Sequence, residues 1–448
     1  MAKTRSVFLC QECGYKTTKW LGKCPQCGEW NSFVEEVESP ADTAVSVHDT
    51  PGTGPIAIDK VEYSESSRFS TGIGEFDRAM GGIVPGQAVL LSGEPGIGKS
   101  TLLLQTAASL SVGRKVFYIN GEESNAQVKS RAARLGIKTA GLYLLNDNNL
   151  EHVVSQIDTH KPDILFADSL QTLYSPRYAS LPGSVLQVRE SAHELISLSK
   201  GLGIPLFLVS HITKGGDIAG PKIVEHLVDT VLYIETDSRG YYRILRSLKN
   251  RFFSTDEVGF FTMGESGLTG IEDISTAFTS IHSGEVSGVA IFPMIEGNRV
   301  FPVEIQGLCT ASQFNYPRRA ADGIDLNRLS MLAAIMEKKL GANLSASDVY
   351  VNITGGLKIE DPALDLAVIF AVYSSLKNKP SALDTIVFGE AGLTGEVRPV
   401  FRMEKRLQES KRLGFKRAVI PFQQKGIKPP DGLSVLPVKS IEEGIALL

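Results

Sequence analysis

The sequence predicts an α/β protein of three parts: a small cysteine-containing module, a core of alternating strands and helices, and a second, α+β domain. Three observations lead to this prediction. Four of the five cysteines fall within the first 27 residues. Short apolar runs alternate with helical patterns between residues 88 and 211, and a new series of strands begins near residue 286. With 448 residues, the chain is also too long for a single hydrophobic core.

Composition narrows the functional classes. The chain is 42% hydrophobic and 21% charged, as a packed globular protein is, and no apolar run approaches the roughly 18 residues of a membrane span. The first residues, MAKTRSVFLCQE, do not resemble a secretory signal, so we expect a cytoplasmic protein without a membrane partner. The formal net charge of −4 excludes a chain-wide basic field, so contact with nucleic acid has to come from local basic clusters.

The N-terminal cysteines form two similar knuckles, LCQECGY and KCPQCGEW. Cys10 is paired with Cys13 and Cys24 with Cys27, and the two-residue spacing lets both sulfurs of a pair face one point. Four thiolates in a tetrahedron suit Zn²⁺ and leave no open position, which predicts a structural C4 zinc finger in residues 1–36. Two disulfides are the alternative, which a reducing compartment disfavours. The Pro-, Gly-, Ser- and Thr-rich residues 37–60 indicate a linker.

A phosphate-binding loop follows in AVLLSGEPGIGKSTLLLQTAASL, residues 88–110. An apolar strand precedes the loop and an apolar helical pattern follows it, which is the order that a nucleotide-binding loop needs. Glycines let backbone N–H groups surround phosphate oxygens, Lys99 reaches the outer phosphates of ATP, and the Ser100 hydroxyl ligates Mg²⁺. The predicted nucleotide-binding residues are Gly93, Glu94, Pro95, Gly96, Ile97, Gly98, Lys99, Ser100 and Thr101.

Carboxylates end the next two predicted strands. KVFYINGEES, residues 115–124, ends in Glu122 and Glu123, and DILFADSLQTL, residues 163–173, carries Asp168. Parallel strands bring such residues to one edge of the sheet, beside the phosphate loop. Asp168 fits the role of holding Mg²⁺ through water, and a glutamate fits that of polarising the attacking water. We favour Glu122 as this base, with Glu123 as the alternative, because a helix N-terminus also explains a glutamate there.

Two further loops are predicted at the same edge, YSPRYASLPGSVLQVRE (174–190) and ITKGGDIAGPK (212–222). They carry Arg177, Lys214 and Lys222 together with tyrosines, a composition that can follow a phosphate backbone and stack bases. Ordinary surface loops are an equal alternative.

Together these stretches resemble the RadA (Sms) family of bacterial recombination and DNA-repair ATPases, which are related to RecA. The resemblance is carried by the cysteine knuckles, GEPGIGKSTLLLQ, GEES, ADSLQT, HITK and IAGPKIVEHLVDTVLYIE, and it runs nearly end to end. It implies a RecA-like P-loop ATPase core over residues 61–285 and a Lon protease-like domain over 286–448. It also implies a homo-hexamer that acts on single-stranded DNA and branched recombination intermediates, beside a RecA-type recombinase.

The stretch KNRFFSTDE follows a predicted strand, and on its own it is typical of a solvated hairpin tip. RadA-like proteins carry Lys-Asn-Arg-Phe-Gly, which here begins at Lys249, with Phe253 in place of the glycine. The resemblance implies that this tip enters the ATP site of the neighbouring subunit, with Arg251 as the arginine finger and Lys249 as its support. A phenylalanine at a glycine position puts the local shape of the loop in question.

The C-terminal domain resembles the Lon protease domain, in which a serine is activated by a lysine. The matching stretch is Asp361-Pro362-Ala363-Leu364, so alanine stands at the serine position and no acyl-enzyme can form. The lysine position is not matched securely: Glu404, Lys405 and Arg406 all lie near it. The domain also offers Arg318 and Arg319, in a predicted loop before a helix, as phosphate contacts.

These expectations combine into a DNA-dependent ATPase of recombination and repair, with ATP, Mg²⁺ and Zn²⁺ as ligands and Lys99, Glu122, Asp168, Lys249 and Arg251 as the catalytic residues. One alternative is a Lon-type serine protease, which Ala363 argues against. The other is a ring in which ATP only switches the binding of protein partners.

Overall fold

A computed structural model describes residues 5–10, 15–26, 28–38, 57–60, 68–178, 180–210, 220–237, 240–272, 274, 277–280, 282, 286–313, 316–422 and 428–448. The chain divides into two compact units. Unit 1 comprises Met1–Thr236 and Tyr242–Ile271, and unit 2 comprises Asp237–Tyr241 and Glu272–Leu448. Unit 2 therefore begins before residue 286, where the sequence pattern puts the start of the second domain.

Unit 1 opens with a small antiparallel sheet. Its strands are β1 (Arg5–Cys10), β2 (Lys16–Thr17) and β3 (Phe33–Glu38), in the order β2-β1-β3. Cys10, Cys24 and Phe33 form one buried cluster in this module. Among the described residues of the module, only Phe8 packs against this cluster in addition, and a core this small is typical of metal-stabilised modules.

The rest of unit 1 is built on a nine-stranded sheet in the order β12-β11-β10-β9-β4-β8-β7-β5-β6. Its strands and helices, in chain order, are α1 (Gly74–Met80), β4 (Ala88–Gly93), α2 (Lys99–Leu110), β5 (Val116–Asn120), α3 (Asn125–Arg134), β6 (Leu142–Leu145), α4 (Leu150–His160), β7 (Ile164–Asp168), α5 (Val185–Leu202), β8 (Leu206–Val209), α6 (Gly220–Glu225), β9 (Thr230–Thr236), β10 (Tyr242–Asn250), β11 (Val258–Gly264) and β12 (Gly267–Gly270).

Both faces of the sheet are covered, and the sequence of β4 shows why. Its alternate residues face opposite sides, so Val89 and Leu91 enter one apolar cluster while Ala88 and Leu90 enter the other. Every residue of β4, β5 and β7 is buried. Such near-continuous apolar strands are typical of parallel sheets with helices on both faces, so the predicted α/β class is confirmed.

The sheet changes direction at β10. Strands β4 to β9 are parallel, whereas β10 runs antiparallel to β9 and β11 runs antiparallel to β10. Asn250, the last residue of β10, is paired with Thr230, the first residue of β9. The hairpin tip that follows Asn250 therefore lies at the edge where the parallel strands begin, opposite the edge where they end.

Unit 2 contains a seven-stranded mixed sheet, in the order β15-β16-β14-β13-β17-β20-β21, and a two-stranded ribbon. Its strands and helices are β13 (Val289–Glu296), β14 (Arg299–Ala311), β15 (Arg319–Asp322), α7 (Leu326–Leu340), β16 (Ser347–Ile353), α8 (Asp365–Lys377), β17 (Thr385–Val387), β18 (Glu390–Ala391), β19 (Val397–Arg398), α9 (Met403–Arg412), β20 (Arg417–Pro421), β21 (Ser434–Val438) and α10 (Ile441–Ile445). Helix α8 is buried along most of its length, as its run of apolar residues predicts.

No helix within the described ranges is both long and apolar enough to cross a membrane.

Candidate active site

The phosphate loop joins the end of β4 to the start of α2, at the edge where the parallel strands end. Gly98, just before α2, has φ +115°, in the region that favours glycine. A Cβ atom at Gly98 would lie 2.6 Å from the Met263 side chain, and one at Gly93 would lie 2.5 Å from the Ile234 carbonyl oxygen. These glycines are therefore required by the fold of the loop as well as by its approach to phosphate.

Lys99 begins α2 and is nearly fully buried, at 3% exposure. Its Nζ donates hydrogen bonds to the carbonyl oxygens of Gly93, at 2.8 Å, and Glu94, at 2.9 Å, so the ammonium group lies within the loop. Burial lowers the pKa of Lys99 to about 8, although the nearby carboxylates of Asp168 and Glu122 oppose this effect. The loop thus holds a cation that is costly to keep charged without an anion beside it.

Ser100 and Asp168 meet at this edge of the sheet. Ser100 Oγ donates to Asp168 Oδ1 at 3.0 Å, and the Tyr118 hydroxyl donates to Asp168 Oδ2 at 2.6 Å. A hydroxyl and a carboxylate oxygen at this spacing are the hard donors that Mg²⁺ takes, so these two residues fit the predicted ion. The sequence reasoning missed Tyr118; the only signal was a polar tip inside the apolar strand β5.

The two glutamates after β5 have different surroundings. Glu123 pairs with Arg131 of α3, and its backbone N–H donates to Asn120 Oδ1 at 3.1 Å. Glu122 is exposed and accepts a hydrogen bond from the Ser169 hydroxyl, next to Asp168. The geometry therefore brings Glu122, rather than Glu123, to the side of the phosphate loop that holds Asp168.

Lys249, near the end of β10, is directed at the backbone of its own unit. Its Nζ donates to the carbonyl oxygens of Glu225, the last residue of α6, and of Val228, both at 2.8 Å. Burial lowers the pKa of Lys249, and the positive charge of Arg251 acts in the same direction. Lys249 thus anchors the base of the tip, in addition to the supporting charge that the resemblance implies.

Arg251 is 56% exposed, and its Nη1 lies 3.5 Å from Oδ1 of the buried Asp229. Asn250 of β10 is paired with Thr230 of β9, and Thr230 is in turn paired with Val89 of β4. Gly93 is four residues further along β4, roughly 13 Å away at about 3.3 Å per residue. Arg251 lies beyond Asn250 in the opposite direction, so its guanidinium does not reach the phosphate loop of its own chain.

Phe253, which replaces the signature glycine, is not strained. The non-glycine residues with positive φ in the described ranges are Asn31, Lys161, Asn378 and Arg402, and Phe253 is not among them. The turn is instead formed by Asn250, whose Oδ1 accepts the N–H groups of Phe252, at 3.0 Å, and Phe253, at 3.1 Å. The phenylalanine therefore leaves the backbone of the tip in an ordinary conformation.

The candidate DNA contacts differ in their freedom to bind phosphate. Lys214 lies outside the described residues, as does the side chain of Lys222 on α6. Arg177 forms ion pairs with Glu151 and Glu194, which neutralise it locally. Arg319 begins β15, rather than lying in a loop, and donates to the carbonyl oxygens of Ser347 and Leu344, both at 2.7 Å. Arg318 has an exposed side chain, which makes it the better placed of the pair.

The cysteine module repeats one backbone turn. The Cys10 N–H donates to the Tyr15 carbonyl at 2.9 Å, and the Cys24 N–H donates to the Glu29 carbonyl at 2.7 Å, so each first cysteine bonds the residue five positions later. Cys10 and Cys24 are buried together at 0% and 1% exposure. This arrangement fits the thiolate donors of a C4 site; Cys13 and Cys27 lie outside the described residues.

In unit 2, Ala363 is fully buried at the turn that precedes α8. The neighbouring basic group is Arg406, which is 1% exposed and pairs with Asp361. Its guanidinium carbon lies 5.3 Å from the centroid of the Phe292 ring and 5.7 Å from that of Phe388. Lys405 is directed elsewhere, with its Nζ 2.6 Å from Asn298 Oδ1. Within the described part of unit 2, alanine thus stands in place of the nucleophile, and the basic side chain beside it is an arginine rather than a lysine.

Known domain families match three parts of the chain. Residues 8–35 match the rubredoxin metal binding domain, residues 69–161 match the ATPase family KaiC, and residues 326–424 match subunit ChlI of Mg-chelatase. These matches agree with the predicted fold class, a zinc-ribbon module, a RecA-like P-loop core and a Lon-like C-terminal domain.

Whole-chain relatives are also found. The DNA repair protein RadA of Bacillus subtilis is 46% identical over 452 residues, which cover 99% of each chain. The DNA repair protein RadA of Aquifex aeolicus is 43% identical over 450 residues and covers 100% of each chain. The protein of the same name in Chlamydia pneumoniae is 43% identical over 451 residues, 100% of this chain and 99% of its own.

Proposed function

This chain belongs to the RadA family of DNA repair proteins and is an ATP-hydrolysing enzyme; from that premise we propose that it moves on single-stranded DNA to extend or branch-migrate recombination intermediates. ATP turnover supplies the energy, and the working form is a homo-hexameric ring that acts beside a RecA-type recombinase. Mg²⁺ held by Ser100 and Asp168 accompanies ATP, and Zn²⁺ occupies the cysteine module.

The observation that carries the proposal is the position of Arg251 relative to the phosphate loop. The two lie at opposite edges of the same sheet, with roughly 13 Å of β4 between them. An exposed arginine at the far edge is out of reach of its own ATP and is available to a second subunit. Supplied from a neighbour, it would stabilise the charge that develops on the γ-phosphoryl group, as arginine fingers do.

Within one subunit the remaining roles follow from the site. Lys99 binds the outer phosphates, and exchanges its carbonyl partners for phosphate oxygens. Glu122 polarises the attacking water, because Glu123 is held by Arg131. Turnover that depends on the neighbour lets hydrolysis in one subunit report on the next, which a motor on DNA requires.

Two rival functions are weaker. A Lon-type protease is opposed by Ala363, which has no nucleophilic oxygen, and by Arg406, whose pairing with Asp361 fills the adjacent position. A ring that only switches protein partners with ATP needs neither a base at Glu122 nor a cation for a neighbour. Its distinguishing property is that turnover does not respond to DNA.

The test is steady-state ATP hydrolysis by the purified protein with and without single-stranded DNA, with Lys99→Ala as the blank. We expect strong stimulation by DNA that disappears in the blank, and extension of the joint in a labelled three-strand branch-migration substrate. Turnover that is indifferent to DNA, with no movement of the branch, would favour the protein-binding switch.

A further inference from the structure

The tip that carries Arg251 is exposed, so burial alone does not hold its shape. Phe252 and Phe253 remain 39% and 41% exposed. A short loop with so little apolar contact is fixed by its polar contacts, and each hydrogen bond that orders it matters more than it would in a core. The contacts of the tip therefore identify the residues that control the position of Arg251.

One set of contacts comes from inside the motif. Asn250 Nδ2 donates to the Met80 carbonyl at 2.9 Å, at the end of α1, while its Oδ1 accepts the N–H groups of Phe252 and Phe253. The Phe253 ring lies against Gly81, where an added Cβ atom would come within 2.2 Å of it. The end of α1 is thus the platform on which the tip rests.

The second set comes from Arg68, which no sequence motif singles out. Its Nη2 donates to the Phe252 carbonyl at 2.8 Å, and its Nη1 donates to the Gly81 carbonyl. Its guanidinium carbon lies 5.9 Å from the centroid of the Phe253 ring. One planar, permanently charged group therefore joins the tip to its platform, which the fork geometry of arginine allows.

Arg68 is itself held in register by its neighbour. The Phe69 N–H donates to the Ile83 carbonyl at 3.1 Å, and the Ile83 N–H donates to the Phe69 carbonyl at 2.8 Å. This bridge joins the segment before α1 to the segment that follows α1, beside the platform. The Arg68 stem also lies against Gly82, where an added Cβ atom would be 3.1 Å from Arg68 Cγ. The guanidinium thus has a fixed base from which to hold Phe252, the residue that follows Arg251.

We propose that Arg68 is a positioning residue for the trans-acting tip: it holds the Phe252 carbonyl against the end of α1 and so fixes the direction in which Arg251 leaves the subunit. Arg68 does not act on ATP itself, because its donors are engaged with carbonyl groups of its own chain. This inference rests on the proposed trans action of Arg251. Arg68, which precedes α1, would thus contribute to catalysis by positioning Arg251, whereas the residues of the phosphate loop contribute by binding ATP.

The kinetic test compares Arg68→Ala with Arg134→Ala, which removes an exposed arginine from the last turn of α3. Arg68→Ala is expected to lower kcat for ATP roughly ten- to hundredfold while KM changes little, because charge-assisted hydrogen bonds that fix the finger are lost. Arg68→Lys keeps the positive charge but not the forked guanidinium, so its kcat is expected to lie between those of Arg68→Ala and the unaltered protein. Arg134→Ala is expected to behave as the unaltered protein.

The decisive test uses mixed assemblies, selected with two affinity tags so that each contains both variants. A Lys99→Ala subunit has no working phosphate loop but an intact tip, so it can serve the loop of an Arg68→Ala neighbour. We expect turnover above that of either variant alone. Misfolding of the Arg68→Ala subunit would damage its own loop and could not be repaired by a neighbour.

Arg251→Ala mixed with Lys99→Ala is the matched control for the proposed trans action. Rescue of Arg251→Ala without rescue of Arg68→Ala would overturn the role of Arg68 and leave the proposed function intact. Failure of both mixtures would instead remove the trans action of Arg251 itself. An increase of KM for ATP in Arg68→Ala at unchanged kcat would also contradict the inference.

Discussion

Arg251 and Asp229 form an ion pair in which the arginine is exposed and the aspartate is buried. Arg251 is 56% exposed, Asp229 is 4% exposed, and Arg251 Nη1 lies 3.5 Å from Asp229 Oδ1. Asp229 has better partners, since Lys200 Nζ lies 2.9 Å from the same oxygen and the Ala88 N–H donates to Oδ2 at 3.1 Å. Removing Arg251 therefore leaves no buried carboxylate without a partner. The arginine contributes little to the stability of its own subunit, so its substitution reports mainly on catalysis.

We accordingly expect Arg251→Ala to bind ATP and to assemble normally while turnover falls by about 10³-fold or more, as it does when an arginine finger is removed. Arg251→Lys keeps the positive charge but not the forked guanidinium, and its turnover is expected to fall less than that of Arg251→Ala. Nucleotide binding by calorimetry and single-turnover hydrolysis measure the two properties separately. Near-normal turnover in Arg251→Ala would identify the tip as a solvated hairpin.

Lys99 predicts a proton uptake on nucleotide binding. Its pKa is about 8 in the buried loop, so its charged fraction falls as the pH rises through that value. The phosphates of ATP favour the charged form and raise the pKa, so above pH 8 binding takes up a proton and affinity falls. Calorimetry at pH 8.5 in buffers with different ionisation enthalpies measures this uptake. Lys99→Arg, charged at every pH tested, is the control; equal heats for the unaltered protein in all buffers would contradict the prediction.

The cysteine module predicts one zinc ion per chain. Cys24→Ser should reduce the zinc content measured by elemental analysis to near zero, since a structural C4 site needs all four thiolates. Cys309→Ser is the matched control, because Cys309 lies on β14 in unit 2, where burial raises its pKa to about 11. Zinc retained by Cys24→Ser, or lost from Cys309→Ser, would be incompatible with the predicted site.

Restoring the serine is not expected to restore a protease. In Ala363→Ser the new hydroxyl would lie in a fully buried position, beside an arginine engaged with Asp361 rather than beside a lysine. Burial lowers the pKa of Arg406, but a guanidinium in an ion pair keeps its proton and cannot serve as the general base. Cleavage of a fluorogenic protein substrate by this variant, blocked by a serine-reactive inhibitor, would refute the expectation.

Arg318 predicts a change in the salt dependence of DNA binding. If its exposed guanidinium contacts one phosphate, Arg318→Ala should reduce the slope of log affinity against log salt by about 1. Arg134→Ala, on the exposed end of α3, is the control, and titration of labelled single-stranded DNA at several salt concentrations is the measurement. An unchanged slope would remove Arg318 from the phosphate-contacting surface.

What the sequence predicts well is encoded locally. The phosphate loop is one strand, one glycine-rich turn and one helix, so its residues could be named from a single stretch. Lys249 and Arg251 were identified by a short signature, but their distance from the phosphate loop depends on the strand order of the whole sheet. The sequence does not predict the partners of Arg177, Arg319 and Arg406, because each partner is brought close by long-range packing that a charge pattern does not reveal. Arg68 has no local signal, since its partners Gly81 and Phe252 are set by the end of α1 and the turn after β10.

The separation of Arg251 from the phosphate loop also affects how ATPase activity depends on enzyme concentration. If Arg251 acts in trans as proposed, a lone subunit holds both halves of the catalytic apparatus but cannot bring them together. Specific activity should then increase with enzyme concentration, in proportion to the fraction of subunits that have assembled with a neighbour. In an open row of subunits one loop at one end and one tip at the other remain idle, whereas a closed circle leaves none. Closure of the circle would therefore act as an on-switch for the last site, without any change in the chemistry at the other sites.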